Sequence, residues 1–168
     1  MISRRLVRIK TLQTLYSWRQ SGLDNEFMFV ENLKNTIYQS HAFYLFILDF
    51  PYQLQQYIQD ELNLESSKYY PDAVKIRQYN ILINTPLIQK IHQEILIADE
   101  KFEYSWIEMK IHFDNWFQTM LTWDFVTDYS IFEEPDFQQQ KEFLENLFFS
   151  FVDSHEQFNE ILEDINPS

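Results

Sequence analysis

Apolar residues recur at helical spacing along almost the whole chain. Residues 3–21 predict a first helix: Ser3 can cap it, no Gly or Pro interrupts it, and Gly22 stands where a left-handed stop residue belongs. Asp24 or Asn25 can cap a second run, with Val30, Leu33, Ile37 and Tyr38 on one side. That run passes through Phe43–Phe50 to Pro51, which is expected to kink or break it, and resumes through Leu54, Tyr57, Ile58 and Leu62. Residues 63–83 are the least periodic part and read as a long connection with one extended piece.

Thr85-Pro86 is a good helix start, followed by Leu87, Ile88, Ile91 and Ile95. Ser105 and Glu108 fit a capping box for a helix running to about Ile131. Trp106, Met109, Phe113, Trp116, Phe117 and Met120 would form its buried side. Asp136 caps a helix whose Phe143, Leu144, Leu147, Phe148 and Phe151 wrap more than half its circumference, so it needs partners on two sides. Ser154 and Gln157 fit another capping box, opening a last helix through Phe158, Ile161, Leu162 and Ile165.

Composition supports this pattern. One glycine in 168 residues is far below the usual share of about 7%. Strand-rich folds need glycine in tight turns and bulges, so the expectation is an all-α helical bundle, a single domain over 1–168. The 16 Phe and 10 Tyr supply more apolar surface than a disordered tail carries. With no cysteine there is no disulfide or thiolate chemistry. The longest apolar stretch, Phe43–Phe50, is too short to span a bilayer and contains Asp49, and no signal peptide is visible. A soluble, cytoplasmic chain is expected.

Charge is distributed unevenly. The first 23 residues hold Arg4, Arg5, Arg8, Lys10 and Arg19 and no acid. The rest holds eight basic residues against 26 acidic ones, a net charge of −18. On a helix, Arg4, Arg5, Arg8 and Arg19 fall within a sector about 100° wide. Leu12 and Leu15 share that sector, so the leucines would mark the core edge and the arginine end would project beyond it. Three arginines beside a helix N-terminus oppose the macrodipole, at roughly 0.3–1 kcal/mol each, so helix stability does not account for them. Phosphate binding or a solvated charged face does.

Catalytic patterns are missing from the sequence. His41, His92, His112 and His155 share no metal-ligand spacing. Glu108 and His112 would lie one helical turn apart, but half a carboxylate site is far more often a surface pair. One glycine rules out a glycine-rich phosphate loop. The expectation is a non-enzyme without metal or cofactor.

The run Arg4-Arg5-Leu6-Val7-Arg8-Ile9-Lys10-Thr11-Leu12-Gln13-Thr14-Leu15-Tyr16-Ser17-Trp18 resembles the opening helix of the transcription antitermination factor NusB family, with Thr11 and Thr14 where the family has alanine. Residues 141–165 form a weaker match to a later helix pair of that family. The opening MISRR and the ILINTPLIQKI stretch at 81–91 are similar to its long, insertion-bearing Bacteroidetes-type form. The resemblance implies a family-specific helical insertion over 25–135 and the start of the NusB-like core over 136–168, the chain being an N-terminal portion. It further implies binding of single-stranded, boxA-like RNA through Arg4, Arg5, Arg8, Lys10 and Tyr16, with Leu15 and Trp18 on the packing side. NusE, the ribosomal protein partner of the family, would bind mainly through helices beyond residue 168. Without those helices, the 143–165 segment is expected to expose an apolar face able to self-associate. The alternative is a non-catalytic helical module that binds another protein through an acidic, aromatic surface.

Overall fold

The computed structural model describes residues 4–22, 26–98 and 105–165, and among these there are helices and no strand. In chain order they are α1 (Arg4–Ser21), α2 (Glu26–Ser66), α3 (Ala73–Ile83), α4 (Pro86–Ile97), α5 (Lys110–Leu121), α6 (Asp124–Tyr129), α7 (Phe137–Phe148), a π turn (Phe149–Asp153) and α8 (Glu156–Ile165). The fold is all-α, a helical bundle. None of the described helices is long and apolar enough to cross a membrane. The chain divides into two compact units, Met1–Ile47 with Glu100–Phe102, and Leu48–Asp99 with Glu103–Ser168. The expected caps at Ser3, Asp24 and Asn25 lie outside the described residues.

The second unit has a core of rings around Phe50, which is 1% exposed. Its ring lies 4.7 Å from Phe158, 4.9 Å from Phe151, 5.4 Å from Trp106 and 5.6 Å from Trp116, centroid to centroid. The contacts with Phe151 and Trp116 are edge-on, the arrangement ring quadrupoles favour. Leu54, Ile58 and Leu62 continue the same buried side of α2.

This burial explains why Pro51 neither breaks nor ends the helix: α2 runs through it over 41 residues. An interior proline costs about 3 kcal/mol or more. Burial of Phe50 and Leu54 on either side of it contributes roughly 3–6 kcal/mol by transfer from water, enough to offset a cost of that size. A void of about 10 Å³ lies beside Pro51, lined by Leu54, Gln55, Ile58, Leu82, Ile88, Met120, Phe143 and Leu147, with room for no more than one water.

Residues 63–83 are not an extended connection. α2 continues to Ser66, and α3 starts where Asp72 accepts hydrogen bonds from the N–H groups of Val74 and Lys75. Tyr79, Ile81 and Leu82 are buried, and burial overrides the weak helical periodicity. The turn between the helices is pinned by Glu65, whose carboxylate accepts from Lys68 Nζ at 2.6 Å and from the Asp72 N–H at 3.1 Å. Those bonds, the lysine's first, hold the Glu65 carboxyl below its ordinary value and push the Lys68 ammonium up.

The tight α3–α4 junction uses no glycine. Gln55 donates its amide to the carbonyls of Leu82 and Ile83, and Thr85, fully buried, donates to the Leu82 carbonyl while its hydroxyl also bonds the Tyr129 hydroxyl at 2.9 Å. Burial raises the Tyr129 phenol. Pro86 takes the first position of α4, as the sequence predicts, and Gln140 accepts the Leu87 N–H at 3.0 Å.

Three predicted boundaries move. Ser105 does not cap a helix: its hydroxyl accepts only the Ile107 N–H at 3.3 Å, and three-residue turns from Trp106 lead to Lys110, which keeps both Trp106 and Met109 buried. The helix expected to reach Ile131 stops at Leu121, because extended backbone at Trp123 sends that ring edge-on to Phe151 at 4.8 Å and lets α6 pack on α7. Asp136 does open α7, in a capping box with Gln139. The last start shifts by one residue. The π turn takes up an extra position, and the His155 ring nitrogen, rather than Ser154, accepts the Phe158 N–H at 3.1 Å.

The apolar face expected over 143–165 is largely absent. Phe143, Leu144, Leu147, Phe151, Phe158 and Leu162 are buried in the chain's own core. The wide apolar arc of α7 is covered by α4, α6 and the π turn, so helices earlier in this chain supply the partners it needs. Phe148 is half-buried, and Phe149 is 62% exposed.

Phe50→Ala is expected to destabilise the protein by about 3–5 kcal/mol, read by denaturant unfolding, since it empties the centre of the ring cluster. A loss under about 1 kcal/mol would mean the rings pack independently of it. Glu65 makes a second, pH-dependent prediction. Its folded pKa is below the ordinary 4.5, so its contribution is present above that value and lost as pH falls through the depressed one. Glu65→Gln is expected to lower the thermal midpoint at pH 7 and to narrow the gap from wild type on acidification below about pH 4.5.

Candidate nucleic-acid interface

α1 owes its C-terminal stop to local chemistry. Gly22 has φ +64°, the left-handed conformation that stops a helix and that other residues adopt only with strain. Inside the helix, the hydroxyls of Thr11 and Thr14 donate to the carbonyls of Val7 and Lys10, each at 2.8 Å. They are thereby satisfied on a side the chain half-buries.

That side is made of Val7, Thr11, Thr14 and Trp18, with the Trp18 ring 5.5 Å from Phe29 of α2. It is not the side the leucines predict. Leu12 is 67% exposed and Leu15 39% exposed, so they mark no core edge, and Leu15 is not on the packing side. The mean of all hydrophobic positions on α1 points towards the arginines. Trp18 anchors the half-buried side through its ring contact with Phe29.

Arg5, Arg8 and Arg19 are exposed on the outer side, and among the described residues no carboxylate pairs with them. Arg4 belongs to α1, but its side chain lies outside the described set. Lys10 is half-buried and projects roughly opposite the arginine sector, so the structure does not bring it together with them. Tyr16 is 65% exposed on the arginine side, one turn from Leu12 and Arg19. Its hydroxyl accepts from Gln20 Nε2 at 2.8 Å, which steadies the ring with its faces open. The face reads along its axis as Arg5 and Arg8, then Ile9, Leu12, Leu15 and Tyr16, then Arg19, all exposed.

A polar pair invisible to sequence spacing occurs in the second unit. His92 Nδ1 lies 2.5 Å from Asp49 Oδ1, Gln53 donates to the other Asp49 oxygen at 2.7 Å, and the Tyr52 ring stacks on the imidazole at 3.5 Å and 7°. No hydroxyl of Ser or Thr bonds His92 among the described residues, and the pair ties α4 to α2. Glu108 and His112 do not form the helical pair expected of them. Glu108 is in the turn before α5 and exposed, whereas His112 stacks on Trp116. Among the described residues no three His, Asp or Glu side chains come together as a metal site.

No protein family, curated protein or solved structure matches this chain.

The two sides of α1 make opposite predictions for stability. Leu12→Gln is expected to change unfolding free energy by no more than about 0.5 kcal/mol, as for a surface position. Trp18→Ala is expected to cost several times as much and to release its ring fluorescence change from the transition. A larger loss for Leu12→Gln than for Trp18→Ala would show that the leucine side is the buried one.

Proposed function

We propose that this protein binds single-stranded RNA through the outer face of α1. Arg4, Arg5, Arg8 and Arg19 contact phosphates, and Tyr16 stacks a base. The observation that carries this reading is the exposed face itself: Arg5, Arg8 and Arg19, with no carboxylate partner among the described residues, beside an open tyrosine ring, in a chain whose residues 24–168 have a net charge of −18. Bases splayed from a single strand stack on aromatic faces while cations follow the backbone, and a duplex offers no such bases. Exposed arginines at a helix N-terminus weaken the helix, so their placement suits an anionic ligand better than stability. The similarity of this helix to the NusB opening motif supports a narrower version, a transcription antitermination factor that recognises a boxA-like element.

The test compares a boxA-like single-stranded RNA with a scrambled one. Replacing Arg4, Arg5 and Arg8 together with Gln is expected to weaken binding and to reduce the slope of log affinity against log salt by about 2, at roughly 0.7 per single-strand phosphate contact. Circular dichroism should be unchanged. Tyr16→Ala is expected to cost about 1–3 kcal/mol of binding without altering the salt slope. Wild-type affinity in the folded triple variant would exclude α1 as the RNA surface, and equal affinity for the scrambled strand would remove the boxA version alone.

A further inference from the structure

The outer face of α1 holds more than phosphate contact requires. Arg5, Arg8, Leu12, Leu15 and Arg19 follow one another at intervals of 3, 4, 3 and 4 residues, the spacing with which one helix meets another. The covered side, Val7, Thr11, Thr14 and Trp18, has the same kind of spacing and is covered by the chain itself. The outer seam is exposed at every position. Arginines serve RNA well, but two leucines between them serve an apolar partner.

α7 and the π turn present a complementary edge. Glu142, Glu145 and Phe149 are exposed at intervals of 3 and 4 residues, with half-buried Val152 three residues on. The order is acid, acid, apolar, apolar, against Arg5, Arg8, Leu12 and Leu15 in the same chain direction. Both edges span about 10 Å from first charge to first apolar residue at 1.5 Å per residue. Among the described residues Glu142 and Glu145 are held only by exposed neighbours, Gln138 at 2.8 Å and Lys141 at 3.6 Å, contacts that exchange readily.

We propose that the outer face of α1 docks on the Glu142–Glu145–Phe149 edge of a second copy of this chain. Arg5 would pair with Glu142, Arg8 with Glu145, and Leu12 would cover the exposed Phe149. Different surfaces meet in this contact, so it propagates head to tail rather than closing as a symmetric pair. Where RNA binds α1, as the functional reading holds, RNA and the second copy compete for Arg5 and Arg8. That competition rests on the RNA reading; the docking itself does not.

The experiment measures mass in solution for the full chain by sedimentation, at about 0.05 M and about 0.5 M salt. At low salt the weight-average mass is expected to rise with concentration above the 20.7 kDa of one chain, and to fall back to it at high salt. R5E/R8E and E142R/E145R should each be monomeric and folded, and an equimolar mixture of the two should associate, because the reversed charges again match. A wild type that stays monomeric at low salt overturns the proposal. So does association that survives E142R/E145R, or a mixture that fails to associate. Adding single-stranded RNA should dissolve the wild-type assemblies. If RNA binds and the assemblies persist, the competition is wrong. If the charge-reversal arms behave as expected and RNA does not bind, the docking stands and the RNA reading falls.

Discussion

The second unit depends on one aromatic side chain held in the middle of a long helix. Phe50 meets rings from the Trp106 turn, from α5, from the π turn and from α8, so segments more than a hundred residues apart in sequence share one buried site. A ring in that position loses its water on every side, which makes its packing worth several times a surface contact. Other features follow from it. α2 stays helical through Pro51 because the residues on both sides are locked into this core. The chain departs from helix at Trp106–Met109 and at Trp123, and the π turn occurs at Phe149–Asp153, where a regular helix would aim a ring elsewhere.

Scarcity of glycine sets a second constraint. Eight α-helices among the described residues need ends, yet Gly22 is the only residue able to take a left-handed stop without strain. Polar side chains do the work instead. Asp72, Asp136 and His155 accept N–H groups at helix starts, Gln140 accepts one at the start of α4, and Gln55 with Thr85 satisfies carbonyls at the end of α3. Several of these bonds come from distant helices, so helix ends and tertiary packing form together. Loss of a cap here therefore loosens a contact between helices as well as a turn.

α1 follows a different logic. It half-buries Val7, Lys10, Thr11, Thr14 and Trp18 and exposes Arg5, Arg8, Leu12, Leu15, Tyr16 and Arg19. Its outer seam sets apolar area beside arginines that no carboxylate pairs with among the described residues, the features on which the proposed ligand and the proposed partner helix would draw. The proposed RNA binding and the proposed self-docking would draw on the same arginines, which is why the two belong in one experiment on the same molecule.

Local pattern alone determined that the protein is helical, that α1 ends at Gly22, that α4 begins at Pro86 and that α7 begins after Asp136, because each depends on backbone preference within a few residues. The arginine sector was equally legible, since helical geometry alone groups Arg5, Arg8 and Arg19. Tertiary structure decided the rest. Helix at 73–83, continuity through Pro51, the breaks at 105–109 and 122–123, and the burial of the 143–165 face all turn on contacts with distant segments. The same holds for the pairing of Asp49 with His92 across 43 residues and for which side of α1 is covered. Periodicity states that a helix has a side to bury. Only the volume and shape of what packs against it state which side that is, and how far a preferred local conformation must yield to fill the core.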